Sequence, residues 1–437
     1  MIKNCCMKKI IQIFLLLIFL SANGYNLEFF SRFHDKYLDD YIKEALLNNH
    51  DLKSADRRVE QYRYEIYSTF SKEFPSLSVS SNYLGTHFPN SDYNIFIKNN
   101  SFIMPFRVNW EPDLLLKTKD KIKSKKYLYE SQIANKNAAY ISLLTDVAST
   151  YINILLYDFL INKQKEIISN QNQNLRFNFN KFKYGIIDSI NLNNAYEDIS
   201  SQQLIYDTLF KNRNSVLFNF ALLLGRSANC ADEIKRAKFQ DFEYSETIPD
   251  IINSDLIYSR PDIIEIENKL KSAKIDLTVA KKDFFPNFNI FGILSFDTAG
   301  GNFFSWNSSF AYLLAGATQD LFRGGEKIAN LKIKRAKFYE LVEKYKQADL
   351  TAIKEISNAL NLIKEDGKNE KTSNKQLDYE RNIFLTSSKK YKRGIISGVE
   401  YLKNKNSYNQ QEQITAYSKA NRLIDYLTLY KAVGGEL

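Results

Sequence analysis

The sequence predicts an α+β chain built from one unit used twice: long α-helical hairpins joined to four β-strands in two pairs. Three observations predict it. Long stretches free of breakers carry an apolar heptad pattern, four short segments alternate apolar and polar residues, and the same landmarks recur about 209 residues apart. Seven prolines and fifteen glycines in 437 residues leave few places to interrupt an element.

The helices come first because they are longest. Lys117 to about Phe182 contains neither proline nor glycine, and Ala134, Ala138, Ile141, Thr145, Ala148, Ile152, Leu155 and Phe159 step by four and three along it. That spacing is a coiled-coil seam. A return helix from about Ile190 to Leu224 carries Leu192, Ala195, Leu209 and Phe220 on one stripe, interrupted by polar Gln202 and Arg213. Glu326 to about Lys390 repeats the first pattern with Leu341, Ala352, Ile356 and Ala359, and a last helix is expected from about Val399 to Val433. At 1.5 Å per residue, a helix of ~65 residues is about 100 Å long.

The strands are expected at 77–85 and 102–112, and again at 287–297 and 304–316. In the second of these, Phe102, Met104, Phe106, Val108 and Trp110 alternate with Arg107 and Asn109. Such alternation puts one set on each face. It fits a transmembrane barrel strand with a lipid face and a polar face, and equally a soluble half-buried sheet. On the barrel reading Phe106, Trp110, Phe288, Phe296, Trp306 and Phe310 face lipid, while Arg107, Asn109, Asn287 and Ser305 face the lumen.

The duplication is read from landmarks. Phe74-Pro75 and Phe285-Pro286 precede the two strand pairs, Asp113-Leu114 and Asp320-Leu321 end them, and Gly185 and Gly394 mark the hairpin turns. Gly225 and Gly434 close the halves. The organisation follows: a first repeat over 25–225, an irregular join over 226–255 and a second repeat over 256–437.

Residues 1–24 have the pattern of a secretory signal, with Lys3, Lys8 and Lys9 before an apolar run from Ile10 to Leu20. No cysteine follows that run at a lipoprotein position, and Cys230 is left alone. A lone cysteine, three histidines and no ligand spacing predict neither disulfide, metal nor cofactor. The formal charge of +10 does not indicate nucleic acid, since the lysines are scattered through helical pattern and the chain is exported. No phosphate cradle and no nucleophile constellation is present, so an enzyme is not expected.

Several segments resemble the TolC-like outer membrane efflux proteins. They are Ser259-Arg260-Pro261-Asp262, Phe284-Phe285-Pro286, Leu321-Phe322-Arg323-Gly324-Gly325, Trp110-Glu111-Pro112-Asp113-Leu114 and the C-terminal Leu429-Tyr430-Lys431-Ala432-Val433-Gly434-Gly435. The likeness spans nearly the whole mature chain, with two departures: Asp320 stands where a proline is common, and Leu116 where a glycine is expected.

The resemblance implies an outer-membrane homotrimer, with a 12-stranded β-barrel in lipid and a periplasmic α-helical barrel. Four strands cannot close a barrel alone, which agrees. It implies an exit duct served by an inner-membrane pump of the RND or ABC type through a periplasmic adaptor, carrying small molecules such as drugs. A type I protein secretion channel and a non-transport coiled-coil structural protein are the alternatives. The implied adaptor-docking tips are Tyr184, Gly185, Ile186 and Ile187, with Tyr391, Gly394, Ile395 and Ile396. The implied gate residues are Glu400 and Lys403, with Asn191 at the matching point of the first hairpin.

Overall fold

The computed structural model describes residues 28–84, 101–244, 255–297 and 305–436. The expected signal segment lies outside them, as do the expected strand ends at Gly85 and Phe304.

In chain order the elements are α1 (Glu28–Ser31), α2 (Lys36–Asn48), α3 (His50–Phe70), β1 (Ser76–Val79), β2 (Asn82–Leu84), β3 (Ser101–Trp110), α4 (Lys117–Lys183) and α5 (Ser189–Leu223). Then follow α6 (Asp255–Tyr258), α7 (Pro261–Lys282), β4 (Asn287–Asp297), β5 (Ser309–Thr318), α8 (Glu326–Lys392) and α9 (Gly398–Ala432). The hairpins repeat without an insertion or deletion: α4 and α8 have 67 residues each, α5 and α9 have 35 each, and all four ends are displaced by 209.

Contacts divide the chain into two units that each draw on both halves of the sequence. A helical unit comprises residues up to 55, 136–263 and 348 onward; a sheet unit comprises 56–135 and 264–347.

The helical unit is held by a core in which the seam residues Ile141, Ala148, Ile152 and Leu155 are fully buried. Aromatic residues pack within it: Phe29 stacks on Tyr430 with ring centres 4.5 Å apart, and Phe33 stacks on Phe242 at 5.3 Å. Burying each such ring contributes ~1.5–3 kcal/mol. Phe242 belongs to the join between the repeats, which also buries Ile234 and Phe239 in the core. The polar residues that interrupt the α5 stripe are paired: Gln202 accepts from the buried Gln164, and Arg213 donates to Asp158 at 2.9 Å. Asn170 donates to Asn406 at 2.7 Å, tying α4 to α9. Such buried polar pairs fix the register of neighbouring helices.

In the sheet unit all strands are antiparallel, in the order β1-β3-β4-β5 with β2 also on β3. The expected first strand is thus two pieces in one continuous register. The gap falls at Ser80, whose N–H donates to Pro105 O. Pro105 has no N–H to return that bond, so the ladder lapses there.

Candidate functional site: sheet faces and hairpin tips

Cross-strand partners share a face of a sheet. Val79 opposes Phe106, Phe106 opposes Leu294, and Leu294 opposes Ala311. Following this register, one face carries Leu77, Val79, Phe106, Val108 and Trp110, then Phe288, Ile290, Leu294 and Phe296, then Ala311, Leu313, Ala315 and Ala317. It is apolar from edge to edge over these positions. The other face carries Ser76, Ser78, Arg107, Asn109, Asn287 and Asn289, and Arg107 donates to Ser80 Oγ at 2.9 Å.

Two expected lipid-facing residues are corrected by this geometry. Phe310 opposes Ser295, so it lies on the face of Arg107 and not on that of Phe106 and Phe288. Its neighbour Tyr312 meets Phe291 on that same face, ring centres 6.0 Å apart. Trp306 is not in a strand: it opens a 3-10 turn, Trp306–Ser308, before β5 begins. Both errors arise from starting the fourth strand at Phe304, which runs the alternation through a turn. Ser305 also precedes that turn and has no strand face.

The hairpin tips are built alike. Gly185 and Gly394 adopt φ of +66° and +71°, a left-handed conformation that glycine reaches at little cost. At the first tip Ile186 N–H bonds back to Lys181 O at 2.8 Å; at the second Ile395 N–H bonds to Lys390 O at 2.9 Å. These are the closing bonds of a Schellman turn. The return helices then start on side-chain caps. Asp188 accepts from Asn191 N–H, and Ser397 accepts from Glu400 N–H. The expected gate residues Asn191 and Glu400 therefore occupy the same third helical position. Capping pattern alone explains an acidic or amide residue there.

Tyr184, Ile186 and Ile395 are well exposed, whereas Ile187 and Ile396 are half-buried. Tyr391 is exposed but stacks on Tyr401, ring centres 4.8 Å apart. Ile190 is also exposed at the first tip, and sequence reasoning missed it. The signal was an isoleucine two residues after the cap, on the outer side of the first turn. Glu400 lines a groove with Ile383, Ser387, Ile396 and Asn404. Glu400 and Lys403 are both exposed, and among the described residues neither makes an ion pair. No cluster of metal-ligating side chains occurs among the described residues.

The profile of a family described as "Outer membrane efflux protein" matches residues 41–225 and 253–435, one block for each repeat. The chain belongs to that family. Its relatives include the probable outer membrane lipoprotein SilC of Salmonella typhimurium, 23% identical over 411 residues, covering 92% of this chain and 87% of SilC. The cation efflux system protein CusC of Escherichia coli K12 is 24% identical over 409 residues, covering 92% of this chain and 87% of CusC. Among solved structures, the Campylobacter jejuni CmeC outer membrane channel superposes with a TM-score of 0.84 at 24% identity, covering 93% of this chain and 88% of that one. The open-state Neisseria gonorrhoeae MtrE channel gives 0.78 at 21%, covering 92% and 89%. This outer membrane efflux protein is therefore a transport protein of the outer membrane and not an enzyme.

Proposed function

We propose that the chain is the exit duct of a tripartite efflux system, working as a homotrimer. The observation that carries this reading is the sheet. Among the described residues, β1 with β2 at one edge and β5 at the other each have a strand neighbour on one side only, and one face is apolar except at Ser309, where β5 begins. An apolar face suits lipid, but open strand edges there would leave backbone N–H and C=O groups unsatisfied. Counting β1 and β2 as one interrupted strand, three chains supply twelve and close a barrel. The exposed apolar side chains of α8, Ile328, Ile333, Tyr339, Leu350 and Ile353, give a second copy something to cover. The helices then form the periplasmic barrel.

The tips serve as adaptor contacts, through exposed Tyr184, Ile186 and Ile395, with Gly185 and Gly394 setting the turns and Ile187, Tyr391 and Ile396 supporting them. An inner-membrane pump of the RND or ABC type supplies the energy. Relatives named for cations, toluene and pyoverdine favour small solutes over a secreted protein as cargo. Glu400 and Lys403, with Asn191, line the constriction, and three copies of the carboxylate favour cations there.

Extraction from outer membranes followed by unheated and heated gel migration tests the assembly. A trimer band that collapses on heating is expected; monomer under both conditions would sink it. In single-channel recordings Lys403→Asp raises cation selectivity and Glu400→Lys lowers or inverts it. Unchanged selectivity in both removes these residues from the gate.

A further inference from the structure

The net charge is scattered along the sequence but not in space. The sheet unit holds 25 lysines and arginines against 18 acidic residues. Outside it, from residue 25 onward, 32 basic residues meet 32 acidic ones. All the net positive charge of the chain beyond the signal segment thus lies in the unit with the apolar sheet face.

Part of that charge converges on one cavity, of about 80 Å³, where strands meet helices. Lys72, Lys117 and Lys121 line it, beside Thr118 and Asn287. Lys117 is paired with Asp283. Lys72 and Lys121 have no ion-pair partner among the described residues. Burial, together with the charges of Lys117 and Lys72, holds the Lys121 amine below its ordinary pKa, opposed by Asp283 and Glu111. Two carboxylates also line the cavity. Asp113 is committed to the helix start, accepting from the N–H groups of Lys117 and Lys119 at 2.6 and 2.9 Å. Glu111 is exposed. The helix end is therefore already capped, and what remains is the ammonium groups of Lys72 and Lys121, without an ion pair among the described residues though in the field of Glu111 and Asp283.

The surroundings say which anion. Phe74, Leu77, Leu114 and Phe285 are all more than half exposed. Trp110, on the apolar sheet face, donates its indole N–H to Glu73 O at 2.9 Å, directly between Lys72 and Phe74. Basic groups beside exposed aromatics at the end of an apolar strand face match the headgroup level of a bilayer. We infer that the Lys72–Lys117–Lys121 cavity holds the phosphate of an anionic phospholipid, whose acyl chains lie over Phe74, Leu114 and Phe285. A volume of about 80 Å³ is that of two to three waters at about 30 Å³ each, enough for the outer oxygens of one phosphate. The proposal rests on the membrane reading above. It gives the Phe74-Pro75 and Phe285-Pro286 landmarks a role of their own.

The described residues contain two tryptophans, Trp110 and Trp306. In a Trp306→Phe background, Trp110 reports this site alone. The full chain is reconstituted in vesicles with brominated phosphatidylcholine or brominated phosphatidylglycerol, and quenching of Trp110 is measured. At least threefold preferential quenching by phosphatidylglycerol is expected. Lys72→Gln with Lys121→Gln abolishes the preference, while Lys346→Gln, outside the cavity, retains it, all with unchanged helical circular dichroism. Equal quenching by the two lipids, or a preference untouched by the double change, overturns the site. Loss of the preference in 20 mM inorganic phosphate shows a free-phosphate site and overturns the lipid assignment. Absence of quenching by either lipid defeats the membrane reading itself, a separate outcome.

Discussion

The two hairpins are equal in length to the residue, yet they are not equally finished. α4 buries most of its middle, from Tyr140 to Ile167, whereas α8 leaves Ile333, Tyr339, Leu350 and Ile353 exposed. The turns and caps agree across the repeat; the side chains that fasten each half differ. Backbone constraints such as a left-handed turn residue or an unsatisfied helix end admit few solutions, so both halves keep the same one. Fastening contacts admit many, and the halves have diverged there.

The largest expected difference concerns how each return helix is tied at its C-terminal end. In the first half Asn49 donates to Leu223 O at 3.0 Å and accepts from Leu52 N–H. In the second half the buried Arg260 donates to Ala432 O at 2.6 Å and pairs with Asp262 and Glu355, both at 2.7 Å. Leu223 and Ala432 are the same position of the repeat. Arg260→Ala removes a buried charge from two carboxylates and should cost about 3 kcal/mol; the partly exposed acids keep it at the lower end of that class. Asn49→Ala should cost about 1–2 kcal/mol. Denaturant unfolding in detergent measures both, and equal losses would show that the two ties are equivalent.

Next is a carboxylate pair present in one half only. Asp425 is buried against Asp366, and burial, with the neighbouring carboxyl, pushes its pKa up to about 7. Displaced by 209, the first half has Val216 and Tyr157 there, packed on the core. A folded pKa above the ordinary ~3.9 means the fold favours the protonated acid. Its stabilisation is complete below about pH 4 and is lost as pH rises through about 7. Asp425→Val should therefore stabilise the protein at pH 8 by about 2 kcal/mol more than at pH 5. A pH-independent difference would mean that the fold does not favour the protonated form of Asp425.

How much of this was legible follows from which constraint each feature answers. Helix ends and the duplication were readable because glycines, caps and seam residues act locally. Sheet pairing was readable only as pairs. The split at Ser80 depends on a proline twenty-five residues away, and the facing of Phe310 depends on where a turn ends. The aspartate pair and the lysine cavity were not readable at all. Asp366 and Asp425 lie about 59 residues apart, and Lys72 lies about 45 residues before Lys117, so each group meets only in three dimensions.

A smaller effect is expected at the tips. Tyr391, Tyr401, Phe384 and Tyr408 form a ladder between α8 and α9, with centres 4.8, 6.1 and 5.4 Å apart in succession. The first hairpin has Phe182, Leu192, Leu175 and Ile199 at those positions. Aromatic pairs add ~0.5–1.5 kcal/mol each beyond burial. Tyr401→Leu breaks two of them and should raise local opening of residues 384–408 by about 1–2 kcal/mol in hydrogen exchange, to the level of residues 175–199. If the first tip is already the better protected, the ladder does not set tip rigidity.

The smallest effect lies where the sequence departs from its own repeat. Gly325 has φ of +84°; 209 residues earlier, Leu116 takes φ of +55°. Both precede a long helix, and the turn needs a left-handed residue there, since Leu116 N–H must reach Asp113 O while Asp113 caps α4. A leucine held left-handed costs about 1–2 kcal/mol. A glycine loses ~0.5–1 kcal/mol through the freedom it gains when unfolded. Leu116 is half exposed, so little burial is forfeited by removing it. Leu116→Gly should therefore stabilise by about 0.5–1 kcal/mol, a small rise in the thermal midpoint. Gly325→Ala should lower it by a similar amount: no atom lies within 4 Å of the added Cβ, so only the backbone conformation opposes it. Opposite signs at the paired positions would show that one turn geometry governs both halves. A midpoint lowered by Leu116→Gly would mean that the leucine side chain contributes more than its strain costs.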